Sequence, residues 1–249
     1  LSIKDRGERL GPLALFLNPG DFDRPWAEAA EAFGLDLRVD GMGVAVGDLG
    51  NDGTLQVIVT DNNGRLHVLS LDGGPAVAHG DSLGLRPYAG ELQESGWGPA
   101  LEDLDGDGDL DAVVAFGPVV GGQDVRFQQS GMWTWLDGAF QSEEERFGVG
   151  PAPAGLATRC PLVGDLNGDG APDVVLLRQL GPPELRLGVA NDASWLTVTL
   201  RGAGDNQGGL GARVAVLVEG IGIQRRWATA GATGVHSSGP AALRFGLGH

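Results

Sequence analysis

The chain has 249 residues, with 33 acidic side chains against 17 basic ones and a formal charge of −16. This balance excludes a nucleic-acid binder and a ligand of anionic membranes, and no apolar run approaches the roughly 18 residues of a membrane-spanning helix. The 44 glycines and 14 prolines beside 42% hydrophobic residues predict an all-β chain of many short strands joined by tight turns.

In chain order, the sequence opens on Leu1 without a signal peptide, so its beginning reads as a processed or cut end. Residues 13–35, LALFLNPGDFDRPWAEAAEAFGL, hold the chain's clearest helical periodicity, over 25–35, enough for a turn or two. Then a pattern begins that recurs. The apolar lead GVAVG (43–47) runs into DLGNDGTLQ (48–56) and the strand-like VIVT. GPALE (98–102) runs into DLDGDGDLD (103–111) and AVVAFG. CPLVG (160–164) runs into DLNGDGAPD (165–173) and VVLL. The first aspartates are Asp48, Asp103 and Asp165, so the unit recurs after 55 and then 62 residues. Self-similarity at that period marks a repeat architecture with one supersecondary element per unit.

The loop at 103–111 places Asp103, Asp105, Asp107, Asp109 and Asp111 at alternate positions, with Gly106 and Gly108 between them. Like charges this close repel unless a hard cation sits among them. Ca²⁺ takes six to eight oxygens in flexible geometry, whereas Mg²⁺ keeps its waters and suits such a loop less well. The predicted Ca²⁺ ligands in the first strong loop are the side chains of Asp103, Asp105, Asp107 and Asp111 with the Asp109 carbonyl. In the second they are the side chains of Asp165, Asn167, Asp169 and Asp173 with the Ala171 carbonyl. The loop at 48–56 keeps only Asp48 and Asp52, with Gly50 and Gln56 at the third and ninth positions, and is expected to bind weakly or not at all. The alternative for any one loop is a solvated acidic turn. An EF-hand is a poor fit, because it needs a Glu at the twelfth position and flanking helices, and Val59, Val114 and Leu176 stand there between β-branched runs.

Other candidates are weaker. Cys160 is the only cysteine, so no internal disulfide or zinc cluster forms, and its apolar surroundings suit an inert core thiol. His67, His79, His236 and His249 share no motif with a nucleophile. HSSG (236–239) is not a nucleophile elbow, the EEE run at 143–145 reads as a solvated loop, and GxGxxG look-alikes lack a βαβ context. Trp97, Trp133 and Trp135 could line a carbohydrate site or pack between repeats, and packing is the preferred reading.

The three units resemble the FG-GAP (VCBS-type) repeats of integrin-like β-propellers, in which each repeat is one blade. Residues 195–219, WLTVTLRGAGDNQGGLGARVAVLVE, and 225–248, RRWATAGATGVHSSGPAALRFGLG, resemble the ASPIC/UnbV domain, on Asn206, Gly209, Gly211, Ala212, Arg213 and Val214 and on the closing Leu243, Phe245, Gly246, Leu247 and Gly248. The resemblance implies a partial β-propeller followed by a small β-rich domain. It assigns residues 1–40 to the outer part of a preceding blade, 41–96, 97–157 and a short 158–192 to three blades, and 193–249 to the ASPIC/UnbV-like domain, without its final strands. Closed propellers have about 4–8 blades. Both ends are therefore expected to carry strand edges covered by further residues, a bound fragment or a neighbouring subunit, the alternative being that residues 13–35 fold over the open side themselves. The resulting expectation is a non-catalytic, calcium-binding scaffold, extracellular or periplasmic, that engages protein partners or the subunits of a larger assembly. The alternative is a carbohydrate-binding or accessory module of a secreted enzyme.

Overall fold

The computed structural model describes residues 13–21, 23–35, 37–71, 77–86, 95–118, 130–143, 157–179, 181–189, 192–229 and 242–248. HSSG (236–239), with His236, His249, Glu144 and Glu145, lies outside them.

Strands β1 (Phe16–Leu17) and β2 (Ala27–Glu28) form a minimal antiparallel pair. The helical periodicity of 25–35 resolves into β2 and one 3-10 turn at Glu31–Phe33, closed by Gly34 at a φ of 65°. A segment this short cannot offset the cost of helix nucleation, so tertiary contacts decide its shape.

Each carboxylate loop joins the first two strands of an antiparallel meander. The first sheet runs β3 (Gly41–Gly47), β4 (Gln56–Asp61), β5 (Leu66–Ser70) and β6 (Val77–His79). The second runs β7 (Ser95–Glu102), β8 (Asp111–Gly117), β9 (Gly131–Leu136) and β10 (Ala139–Ser142). The third has β11 (Ala157–Gly164), β12 (Asp173–Gln179) and β13 (Glu184–Arg186). In all three, the residue just before the loop pairs with its ninth position: Gly47 with Gln56, Glu102 with Asp111, and Gly164 with Asp173. The loops thus close in one register. Two further pairs follow, β14 (Ser194–Thr199) with β17 (Ala242–Gly248) and β15 (Arg213–Val218) with β16 (Gly222–Trp227). The chain is all-β, and its sheets close into no barrel or ring among the described residues.

The two-residue period of a strand sends alternate side chains to opposite faces, and the cores follow it. Along β8, Ala112, Val114 and Phe116 face the first sheet and meet Leu49, Ile58, Leu66 and Val68. Val113 faces the other way, with Met132, and meets Val163, Val174 and Leu176 of the third sheet. The central sheet is buried on both faces, which is why AVVAFG reads as continuous apolar sequence rather than alternation. The outer face of the first sheet, Val57, Val59, Leu69 and Leu71, is covered by Leu13, Leu15, Ala30, Phe33, Leu35 and Leu37. On this side, then, residues 13–39 do the covering. Among the described residues the outer face of the third sheet has no counterpart: Leu177 and Leu185 are 40% and 54% exposed.

This asymmetry sets a stability test. Ile58 is fully buried between the first two sheets, and Ile58→Ala should cost about 2–5 kcal/mol. Leu177→Ala on the open face should stay within about 0.5 kcal/mol. Urea denaturation of the two variants checks the contrast, and equal losses would contradict the layering.

Candidate metal centre

The loops are built by backbone amides turned onto carboxylates. The first-position aspartate accepts the sixth-position N–H through Oδ2 at 3.0 Å in every loop: Asp48 from Gly53, Asp103 from Gly108, Asp165 from Gly170. These glycines stand at φ of 95°, 99° and 91°, a conformation that side chains resist. In the second and third loops Oδ1 of the same aspartate accepts the fourth-position N–H at 2.7 Å. The fifth position accepts from the seventh: Asp52 from Thr54, Asp107 from Asp109, Asp169 from Ala171. The ninth accepts from the second: Asp111 Oδ2 from Leu104 at 2.7 Å and Asp173 Oδ2 from Leu166 at 2.8 Å. In the first loop Gln56 Oε1 does the same for Leu49 at 2.9 Å. Gln56 thus keeps the turn while giving up the charge, a substitution that a search for carboxylates passes over.

Only one loop gathers three acidic residues into a cluster among the described residues. Asp103, Asp105 and Asp111 each offer an oxygen, and the three lie within 4.8 Å of one another. Asp103 and Asp111 are almost fully buried. Asp111 is fixed at both oxygens, since Trp135 N–H donates to Oδ1 at 2.8 Å. Of the other predicted ligands here, Asp107 is held by its turn and Asp109 accepts from Asn51 Nδ2 at 2.7 Å. In the third loop Asp165, Asp169 and Asp173 keep the same frame without closing as tightly, and Asn167 Nδ2 donates to Asp169 Oδ2 at 2.9 Å. In the first loop Asp48 is buried and Asp52 is exposed.

The electrostatics of 103–111 are those of crowded, partly buried carboxylates, of which Asp103 and Asp109 feel the Arg226 charge. Burial and then the neighbouring Asp105, Asp103 and Asp109 carboxylates push Asp107 up to about 7. Burial also raises Asp103, Asp109 and, strongly, Asp111, against the amides that favour their ionised forms. An all-oxygen, acidic donor set of this kind suits a hard divalent cation.

The sequence reading missed what lies on top of the loops. Gly246 N–H, in β17, donates to Asp103 Oδ2 at 2.9 Å, and Gly248 N–H to the Gly106 carbonyl at 3.1 Å. Arg226 donates to the Gly108 carbonyl at 2.9 Å, and Arg244 to the Gly170 carbonyl. Glu102 lies beside these arginines. Burial pushes it up to about 7, although Arg226 and Arg244 pull the other way. Of the tryptophans, Trp133 is buried, Trp97 donates to the Gly117 carbonyl at 2.8 Å beneath Arg159, and Trp135 packs edge-on against Phe140. His67 pairs with Asp61 at 3.3 Å. No known protein family matches the sequence, and no curated protein is significantly similar to it.

A pH dependence follows. In metal-free protein the native Asp107 and Glu102 hold protons up to about pH 7, whereas their ordinary values are 3.8 and 4.5. The stability these protons supply is complete below pH 4 or so and drains away as pH rises through about 7. With chelator present, the melting temperature should be lower at pH 8 than at pH 6, and Asp107→Asn should flatten the slope. A metal-free melting temperature that rises across that interval would contradict it.

Proposed function

We propose that this chain is a non-catalytic calcium-binding scaffold of the FG-GAP (VCBS) type, its three sheets acting as propeller-like blades and residues 193–249 as an ASPIC/UnbV-like module. The observation that carries this reading is the triad of Asp103, Asp105 and Asp111 within a turn whose hydrogen-bond frame is repeated in two other loops. A solvated acidic turn has no need to bury two of its carboxylates. Oxygen-only donors from a flexible turn favour Ca²⁺ over the more exacting Mg²⁺. Loops of this sort suit the millimolar calcium outside the cell, so the scaffold works in an extracellular or periplasmic setting. Its partners are other proteins or subunits of an assembly. The tryptophans that would have formed a sugar platform are engaged in packing, which weakens the carbohydrate alternative.

Calorimetric titration of the chelated protein with Ca²⁺ should give two binding events, the tighter one removed by Asp111→Asn. A Kd of about 0.1 mM at about 1 mM Ca²⁺ adds roughly 1.4 kcal/mol per site, or about 3–6 °C in Tm for a chain of this size. No heat and no Tm shift, with or without EGTA, would overturn the calcium reading.

A further inference from the structure

Residues 193–248 approach the three loops at one repeated point. The sixth-position glycine of each loop is covered by side chains of this terminal module: Gly53 by Arg225, Gly108 by Gln224 and Ile221, and Gly170 by Trp195. A Cβ at Gly53 would lie 3.6 Å from the Arg225 Cζ, and one at Gly108 would lie 2.6 Å from the Gln224 Nε2. The chemistry of the covering residue changes with the loop. In loops 103–111 and 165–173 Gln224 and Trp195 lie over that glycine, and the arginines beside them reach its backbone, Arg226 the Gly108 carbonyl and Arg244 the Gly170 carbonyl. In loop 48–56, which has Gly50 at the third position and uncharged Gln56 at the ninth, an arginine reaches the first-position carboxylate as well. Arg225 Nη1 donates to the Asn51 carbonyl at 2.7 Å and lies 3.7 Å from Asp48 Oδ2. Asp48 is fully buried, and a carboxylate taken out of water needs a positive partner.

We propose that Arg225 is the resident cation of loop 48–56, filling the place a metal takes in its sister loops, and that this pairing together with the Asp103–Gly246 bond latches the terminal module to the repeats. The second half rests on the calcium reading. Gly246 N–H donates to Asp103, a carboxylate of the triad, so an ion that quiets repulsion in 103–111 also fixes the acceptor of the latch. Arg226 stays attracted, because its charge is met by Glu102, Asp103, Asp48 and Asp109, and a divalent ion leaves a loop of five aspartates net negative.

Hydrogen exchange on the full chain, paired with native mass spectrometry to count bound Ca²⁺, tests both halves. Arg225→Met should speed exchange in 48–53 and 222–227 about tenfold whether or not calcium is present, and Arg225→Lys, which keeps the charge, should recover most of the protection. Chelation of the wild type should speed exchange at Gly246 and Gly248. Unchanged exchange in Arg225→Met, or loss of protection equal in the Met and Lys variants, overturns the resident-cation proposal. Two bound ions by mass with calcium-independent exchange at Gly246 overturn the latch and leave the calcium reading standing. No bound ion by mass removes the calcium reading and the metal-dependent half of the latch, and the Arg225 variants still decide the other half.

Discussion

Five aspartates in nine residues, Asp103 to Asp111, with Asp103, Asp105 and Asp111 gathered at one point, are the constraint on which the rest of the structure depends. Bringing carboxylates together out of water is unfavourable on two counts, desolvation and mutual repulsion, and both raise their proton affinity. The turn persists because amides of Gly106, Gly108, Leu104 and Trp135 hold Asp103 and Asp111 from several sides. Those amides come from the loop and from β9, so the centre is assembled by a strand pairing rather than by a stretch of sequence alone. A hard cation resolves the remaining conflict, which is the physical ground for reading the site as a metal centre.

The same turn organises the sheets. Its ninth position is the first residue of β4, β8 and β12, so the loop fixes the register in which alternate residues divide between two cores. The central sheet gains a neighbour on each face, and the first gains the 13–39 segment. The terminal module rests on the loop surfaces, contacting backbone and carboxylates together, and turns three separate turns into one platform.

Much of this was legible in the sequence. The D-x-[DN]-x-D-G pattern located the turns at 103–111 and 165–173, its degenerate copy and the repeat period located the one at 48–56, and β-branched runs placed β4, β8 and β12. The weakness of 48–56 was legible in Gly50 and Gln56, though Gln56's retained bond to Leu49 was not, because it depends on an amide oxygen standing in for a carboxylate. The 25–35 segment keeps one turn of the helix its periodicity predicts, the 3-10 turn at Glu31–Phe33, while Ala30, Phe33 and Leu35 pack on Val57 and Val59. The contacts of Arg225, Gln224 and Gly246 had no local signal: Arg225 and Asn51 lie 174 residues apart and Gly246 and Asp103 lie 143 apart. Glycines at the sixth position were explained in the sequence by their turn. Their second use, as landing points for the terminal module, appears only when the chain is folded.

Trp135 offers the most direct view of the centre, because its backbone N–H bonds Asp111 while its ring lies at the edge of the same loop system, against Phe140 and close to Gly50. Terbium is a hard, oxygen-seeking ion that substitutes for calcium and emits when a nearby indole is excited. Titrated into metal-free protein, it should give tryptophan-sensitised emission that Ca²⁺ displaces and that Asp111→Asn lowers, in a variant that still folds, to what the 165–173 loop contributes through Trp195. Absence of sensitised emission, or emission indifferent to both calcium and the Asp111 substitution, would contradict a cation at the 103–111 loop.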